Sequence, residues 1–170
     1  AKQPMFTRDK SMAIIFNGEI FNYKALRKHL EEKKIKLTTN SDTEVILNLY
    51  TIYKKDTYRY LRGMFSFIIY DFISKEVYGA RDRYGIKPLY YHDSGNGNYV
   101  FSSEARSIRK YFDNKISFNK NKISEFVVFG YSADQESFYE KINMLQPGHS
   151  FLIKNNSIKI YKEWEPFSNH

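Results

Sequence analysis

No cysteine occurs anywhere in the 170 residues, which excludes disulfides, thiolate metal sites and a catalytic thiol drawn from this chain. Long apolar runs are missing too. Nothing approaches the roughly 20 residues that a membrane-spanning helix needs, and the opening Ala1-Lys2-Gln3-Pro4-Met5 has no secretory signal pattern. A soluble, cytoplasmic protein with no membrane partner is the expectation. Histidine is scarce: His29, His92, His149 and His170 stand far apart, without the spacing of metal ligands, so no metal site is expected. Neither a GxGxxG nor a P-loop is present to cradle a nucleotide phosphate. Internal repeats and low-complexity linkers are absent as well.

What is there is apolar and aromatic. Hydrophobic residues make up 42% of the chain and aromatics 18%, ample for a buried core and far from the composition of a disordered segment. The length suits one domain, since roughly 100–200 residues usually form one. The net charge of +8 raises the question of nucleic acid, but the basic residues are spread along the chain and lysine outnumbers arginine. Readers of phosphate and bases cluster their charge and favour arginine. The sequence therefore points to a solvated basic surface, with no nucleic acid as partner.

Met12-Ala13-Ile14-Ile15-Phe16 is a short apolar run that reads as a buried strand. An amphipathic helix is expected over 22–33 with Ala25, Leu26 and Leu30 on one face, and another from Ser41 to about Lys54 with Val45, Ile46, Leu49 and Ile52 inward. From Met64 the period changes to that of strands. Hairpins are expected at 64–80, at 89–102 across Asp93–Gly97, and at 150–161 across Asn155-Asn156. Helices are expected over 104–111 and 120–129. Helices followed by antiparallel hairpins followed by helices imply an α/β protein of stacked layers.

Phe16-Asn17-Gly18-Glu19-Ile20-Phe21-Asn22-Tyr23 is the most informative stretch. Asn-Gly between apolar residues is the strongest short hairpin signal, and spacing alone puts that reading first. The alternative is a strand that ends in a loop, with the Asn17 amide and the Gly18 N–H side by side as an oxyanion hole would need them. Ser41-Asp42-Thr43-Glu44 has the pattern of a capping box, Ser41 as N-cap and Glu44 at the third helical position. Asp42, in the first turn, either complements the helix dipole or binds an ammonium group. The charged loop Arg81–Tyr91 reads as a structural turn with an internal Arg–Asp pair, or as an anion site using Arg81, Arg83 and Lys87. Pro147-Gly148 suits the middle of a tight turn.

Together these segments resemble the N-terminal domain of glutamine-hydrolysing asparagine synthases. The likeness runs in order through Gln3-Pro4-Met5, 17–23, 41–44, Arg62-Gly63-Met64-Phe65-Ser66-Phe67, the 81–91 loop, Phe101-Ser102-Ser103-Glu104, 146–149 and Tyr161 to Trp164, nearly the whole chain. Related amidotransferases that feed sugars or purine precursors share the Asn-Gly and Ser-Asp elements, whereas 62–67 and 101–104 favour the asparagine synthase branch.

The resemblance implies an N-terminal-nucleophile hydrolase fold, a four-layer αββα sandwich of two antiparallel sheets. It implies a glutaminase that frees ammonia from glutamine through a cysteine thioester, for ATP-dependent amidation of aspartate in a partner synthetase domain. Carried over by position, Asn17 and Gly18 are expected to form the oxyanion hole. Asn17, Gly18, Glu19 and Asp42 are expected to bind substrate, Asp42 holding the glutamine α-ammonium. No cofactor is expected in this domain; ATP and Mg belong to the synthetase domain, and a homo-oligomer is compatible with the family. By this likeness residues 1–170 are an N-terminally truncated domain, short of its first strands, its nucleophile and the synthetase domain, and are expected to be inactive alone. The rival readings are an amidotransferase-like binding module without chemistry, and amidation of another acceptor such as a sugar carboxylate.

Overall fold

The apolar run at Met12 does not stop at Phe16. In the computed structural model, which describes residues 2–131 and 136–166, strand β2 runs unbroken over Met12–Ile20. It is the second strand of a six-stranded antiparallel sheet with β1 (Met5–Phe6), β3 (Gly63–Asp71), β4 (Glu76–Arg81), β8 (His149–Lys154) and β9 (Ser157–Lys162), in the order β1-β2-β3-β4-β8-β9. The β3–β4 hairpin closes where expected. Asp71 makes the turn by accepting the N–H groups of Ile73 and Ser74 at 3.0 and 3.1 Å.

Helices α1 (Tyr23–Glu32) and α2 (Asp42–Tyr53) pack with this sheet. The core they share holds Ile14 and Ile20 of β2, Phe65, Phe67 and Ile69 of β3 and Tyr78 of β4. Leu26, Leu30, Val45, Ile46 and Leu49 face them from the helices. Each such side chain contributes about 1.5–3 kcal/mol when fully buried. Two expected core residues are not in it. Ala25 is exposed; the buried residues of α1 are Leu26 and Leu30, one turn apart. Ile52 is 37% exposed; two residues beyond the buried Tyr50 it lies on the opposite side of α2. A 3₁₀ turn (Lys54–Asp56) and α3 (Thr57–Tyr60) then lead into β3. These short segments, like β1 and β7, are too brief to carry a period, and the sequence reading missed them.

The chain divides into two compact units, one running to Lys87 and resuming at Pro147, the other Pro88–Gln146. The second unit has its own three-stranded antiparallel sheet, order β6-β5-β7, from β5 (Tyr90–Asp93), β6 (Tyr99–Ser102) and β7 (Ile142–Met144). It also carries α4 (Ala105–Tyr111) and α5 (Lys120–Phe129). The expected hairpin and both helices are there within a residue. His92 anchors the unit through Nδ1, 2.7 Å from the Lys141 carbonyl oxygen. His170 lies outside the described residues.

Candidate functional site at the end of strand β2

Asn17 and Gly18 make neither a hairpin turn nor the end of a strand. They sit inside β2, opposite Ser66 and Phe65 of β3, which overturns both sequence readings of their local structure. The return strand of that hairpin would have had no room, and the pairing continues instead to Ile20 opposite Gly63.

The register decides what Gly18 offers. Phe65 spends its backbone groups on Asp82: its carbonyl accepts the Asp82 N–H at 2.8 Å, and its N–H donates to Asp82 Oδ2 at 3.2 Å. In an antiparallel ladder, bonded and non-bonded pairs alternate, so the N–H and C=O of Gly18 face away from β3, toward the β1 side. Phe16 and Ile20 face the same way. Phe16 is closed off there by the Gln3 side-chain amide, which accepts its N–H at 2.7 Å and donates to its carbonyl at 2.8 Å. Ile20 donates its N–H to Asp42 Oδ2 at 3.1 Å. Gly18 lies between these two contacts.

Gly18 is also required by the sheet itself. Its φ is +141°, and a Cβ there would lie 2.0 Å from the Met64 carbonyl oxygen and 2.7 Å from Phe65 Cα. The neighbouring strand, not crowding of a ligand, is what excludes a side chain.

Side chains alternate along β2. Ile14 and Ile20 enter the core, while Asn17 and Glu19 are exposed on the other face. Asn17 thus projects off the sheet, and the Gly18 N–H lies in its plane one peptide further on. Asp42 reaches the same strand end from the first turn of α2. The four residues singled out from the sequence are therefore brought together within a few residues of β2. From Ile20 to Gly18 the separation is two strand residues, or roughly 7 Å.

The start of α2 shows why Asp42 is held so firmly. Ser41 is the N-cap, its hydroxyl accepting the Thr43 N–H at 3.1 Å. Asp42 Oδ1 accepts the same N–H at 2.9 Å. Glu44 does not complete a capping box. Its carboxylate turns back past Ser41 to accept the N–H and hydroxyl of both Thr38 and Thr39, all at 2.7 Å. Burial pushes the Glu44 carboxyl up, but these four bonds outweigh it, and the group sits below its ordinary value. Glu44 thereby fixes the strap that leads into Ser41 and Asp42.

The 81–91 loop is a structural turn, as one of the two readings had it, and both Arg81 and Asp82 bond to its backbone. Asp82 is fully buried and accepts from Tyr84 and Ile86 N–H on Oδ1 and from Lys87 N–H on Oδ2, each at 3.0 Å. Arg81 donates to the carbonyls of Gly85 at 2.6 Å and Lys87 at 2.9 Å. Arg81 is thus a clamp on backbone. Gly148, at φ +69°, joins the arrangement by donating its N–H to the Asp82 carbonyl at 2.8 Å. Sequence reasoning gave Gln3 no contact with β2 and placed Asp82 only in an Arg–Asp pair, not as the acceptor of backbone amides. An aspartate ahead of a glycine-containing turn is the signal that would have found the second.

Comparison with known proteins follows this geometry. The family described as "Glutamine amidotransferase domain" matches residues 1–165. Asparagine synthetase (glutamine-hydrolyzing) 1 of Bacillus subtilis (strain 168) is 37% identical over 162 residues, 95% of this chain and 25% of that protein. A putative asparagine synthetase (glutamine-hydrolyzing) 2 of Methanocaldococcus jannaschii is 33% identical over 156 residues, 89% of this chain and 30% of that one. The chain thus spans a quarter to a third of the length of these curated relatives. Among solved structures, the glutamine phosphoribosylpyrophosphate amidotransferase of B. subtilis covers 96% of this chain and 32% of its own at a TM-score of 0.66 and 23% identity. A class-II glutamine aminotransferase domain protein from Silicibacter pomeroyi covers 95% and 70% at 0.56 and 15%. The structural likeness shows the fold, that of the N-terminal-nucleophile amidotransferases, with two antiparallel sheets as expected.

Proposed function

The chain belongs to the class II glutamine amidotransferase family, and on that premise we propose that it is the part of an asparagine synthase that takes ammonia from glutamine. The reaction adds water across the side-chain amide to give glutamate and ammonia. The ammonia is then used in a synthetase domain, outside these residues, for ATP-dependent amidation of aspartate. ATP and Mg²⁺ belong to that domain, and none of the residues here is assigned to them.

The observation that carries the reading is the Gly18 amide. It faces the sheet edge between two occupied neighbours, with the Asn17 amide group one residue away. An amide oxygen of glutamine lodged at that corner gains negative charge as the carbonyl is attacked. Asn17 Nδ2–H and Gly18 N–H are donors fixed by the strand before the charge arises, which is what makes such stabilisation effective. Asp42 supplies an anion for the α-ammonium of the same substrate, its carboxylate held in place by Ile20 and Thr43. Glu19, on the Asn17 face, completes the substrate contacts. The attacking thiol is not among these residues, so they bind and polarise glutamine but do not form the thioester.

A chimera tests this. The matched segment of the B. subtilis relative is replaced by this chain, keeping that protein's remaining residues. Glutamine-dependent and ammonia-dependent asparagine formation are then measured side by side. Both are expected. Ammonia-dependent formation with no glutamine-dependent formation overturns the assignment.

A further inference from the structure

Asn17 and Gly18 can meet a developing charge only as well as β2 holds them, and the pairing on the side they use stops early. Strand β1 pairs with β2 at Met5 opposite Ile14 and at Phe6 opposite Ala13. The residue before Met5 is Pro4, which has no N–H with which to carry the ladder along this edge. Past Ile14 the peptide groups on this side of β2 need partners other than a strand.

Gln3 supplies one. Its side-chain carboxamide meets Phe16 at two points, accepting the N–H on Oε1 at 2.7 Å and donating from Nε2 to the carbonyl at 2.8 Å. A primary amide carries the donor and acceptor of a peptide group, so Gln3 extends the ladder by one residue with a side chain in place of a strand. A paired strand would run on past Asn17 and take up the Gly18 N–H. A side chain ends where it binds. The ladder is thus held as far as Phe16 and left open at Gly18.

The bond to the carbonyl bears most directly on the site. The Phe16 carbonyl and the Asn17 N–H belong to one planar peptide, so Gln3 Nε2 fixes the plane to which Asn17 is attached. On the far side Asp42 holds the Ile20 N–H at 3.1 Å. Gly18 stands between the two clamps at a φ of +141°, in a region that only glycine enters freely, and glycine restrains its own peptides least. The direction of its N–H is therefore set by what grips its neighbours.

We infer that Gln3 is a positioning residue for the Asn17–Gly18 corner, fixing the peptide ahead of Asn17 and stopping the edge ladder short of Gly18. This rests on the reading of that corner as the oxyanion site. Donors aligned before the charge develops act chiefly on the transition state, so loosening them lowers kcat and leaves KM nearly as it was. Gln3 is exposed, and water replaces its hydrogen bonds at little cost to folding.

The chimera with the B. subtilis relative provides the test. Gln3→Met keeps the length of the side chain and removes both bonds. Gln3→Glu keeps an acceptor for the Phe16 N–H and loses the donor to the carbonyl. Each is expected to lower glutamine-dependent kcat about tenfold, the upper worth of one ordinary hydrogen bond. The KM for glutamine is expected to stay within about twofold, and ammonia-dependent synthesis to be unchanged. Gly95→Ala, in the turn between β5 and β6, is the control for lost stability. Should Gln3→Met lower the melting temperature, the ratio of glutamine-dependent to ammonia-dependent synthesis still falls in Gln3→Met and holds in Gly95→Ala. Parental kcat in either Gln3 variant, or a loss shared with ammonia-dependent synthesis or with Gly95→Ala, overturns the inference. A parent chimera that makes no asparagine from glutamine overturns the functional reading and this inference with it. A working parent matched by its Gln3 variants overturns this inference alone.

Discussion

The carboxylate of Asp42 accepts the N–H of Ile20 at 3.1 Å and that of Thr43 at 2.9 Å, so one side chain ties the first turn of α2 to the end of β2. Its structural and binding roles separate by choice of substitution. Asp42→Asn keeps an acceptor for a backbone amide but removes the charge. In the chimera it is expected to raise the KM for glutamine by the worth of a charged hydrogen bond, roughly 1.5–3 kcal/mol, while ammonia-dependent synthesis is spared. Equal loss of both activities would make Asp42 a fold residue only.

Asn17 is exposed, so its removal leaves the core untouched. Asn17→Ala in the chimera is expected to lower glutamine-dependent kcat by about 10²–10³, or roughly 2.7–4 kcal/mol, the effect of losing one oxyanion donor. The melting temperature should scarcely move. Near-normal turnover beside an unchanged melt sinks the role given to Asn17.

Gly18 should behave in the opposite way. With a Cβ forced to within 2.0 Å of the Met64 carbonyl oxygen, Gly18→Ala is expected to destabilise the chain by more than about 3 kcal/mol. Gly95→Ala is the control: φ there is +90°, but nothing lies within 4 Å of a new Cβ, and a cost of about 1–2 kcal/mol is expected. Urea denaturation of both variants makes the comparison. Similar midpoints would mean that β2 shifts to accept the methyl group.

Glu44 makes stability depend on acid. Its folded-state pKa lies below the ordinary 4.5, so its contribution is complete above that value and is lost as pH falls through the folded pKa. Glu44→Gln is expected to be less stable at pH 7 by about 1–3 kcal/mol, because the hydrogen bonds to Thr38 and Thr39 lose their charge. It should also lose less stability than the parent on acidification. Parallel stability–pH curves for the two proteins would show that Glu44 does not titrate with folding.

The 170 residues contain no thiol, and incubating the chain alone with glutamine is expected to release no glutamate above the uncatalysed background. An enzymatic glutamate assay checks this. Turnover would require a nucleophile other than the cysteine that the family likeness implies.

Much of the fold is legible from periodicity. Helix α5 and the hairpins at 64–80 and 150–161 follow from local patterns, because there the apolar period and the turn residues agree. The candidate site was legible only in its residue types. Asn17-Gly18 carries a local turn signal that nine residues of pairing with β3 override, and pairing partners fifty residues away leave no mark on a local pattern. Glu44 sits where a capping box puts it, but the threonines that claim it lie five and six residues upstream, beyond the motif's span. Tertiary pairing decides such positions, and local propensity does not reveal it.

The buried Asp82 carboxylate takes its partners from backbone amides alone, at Phe65, Tyr84, Ile86 and Lys87. The course of the 82–87 loop is therefore set without reference to the side chains at 83, 84 and 86. Those positions are free to be exchanged while the path of the chain stays the same. Arg83 and Tyr84 are what this particular protein displays there, and a relative with the same aspartate can display a different chemistry from an unchanged mount.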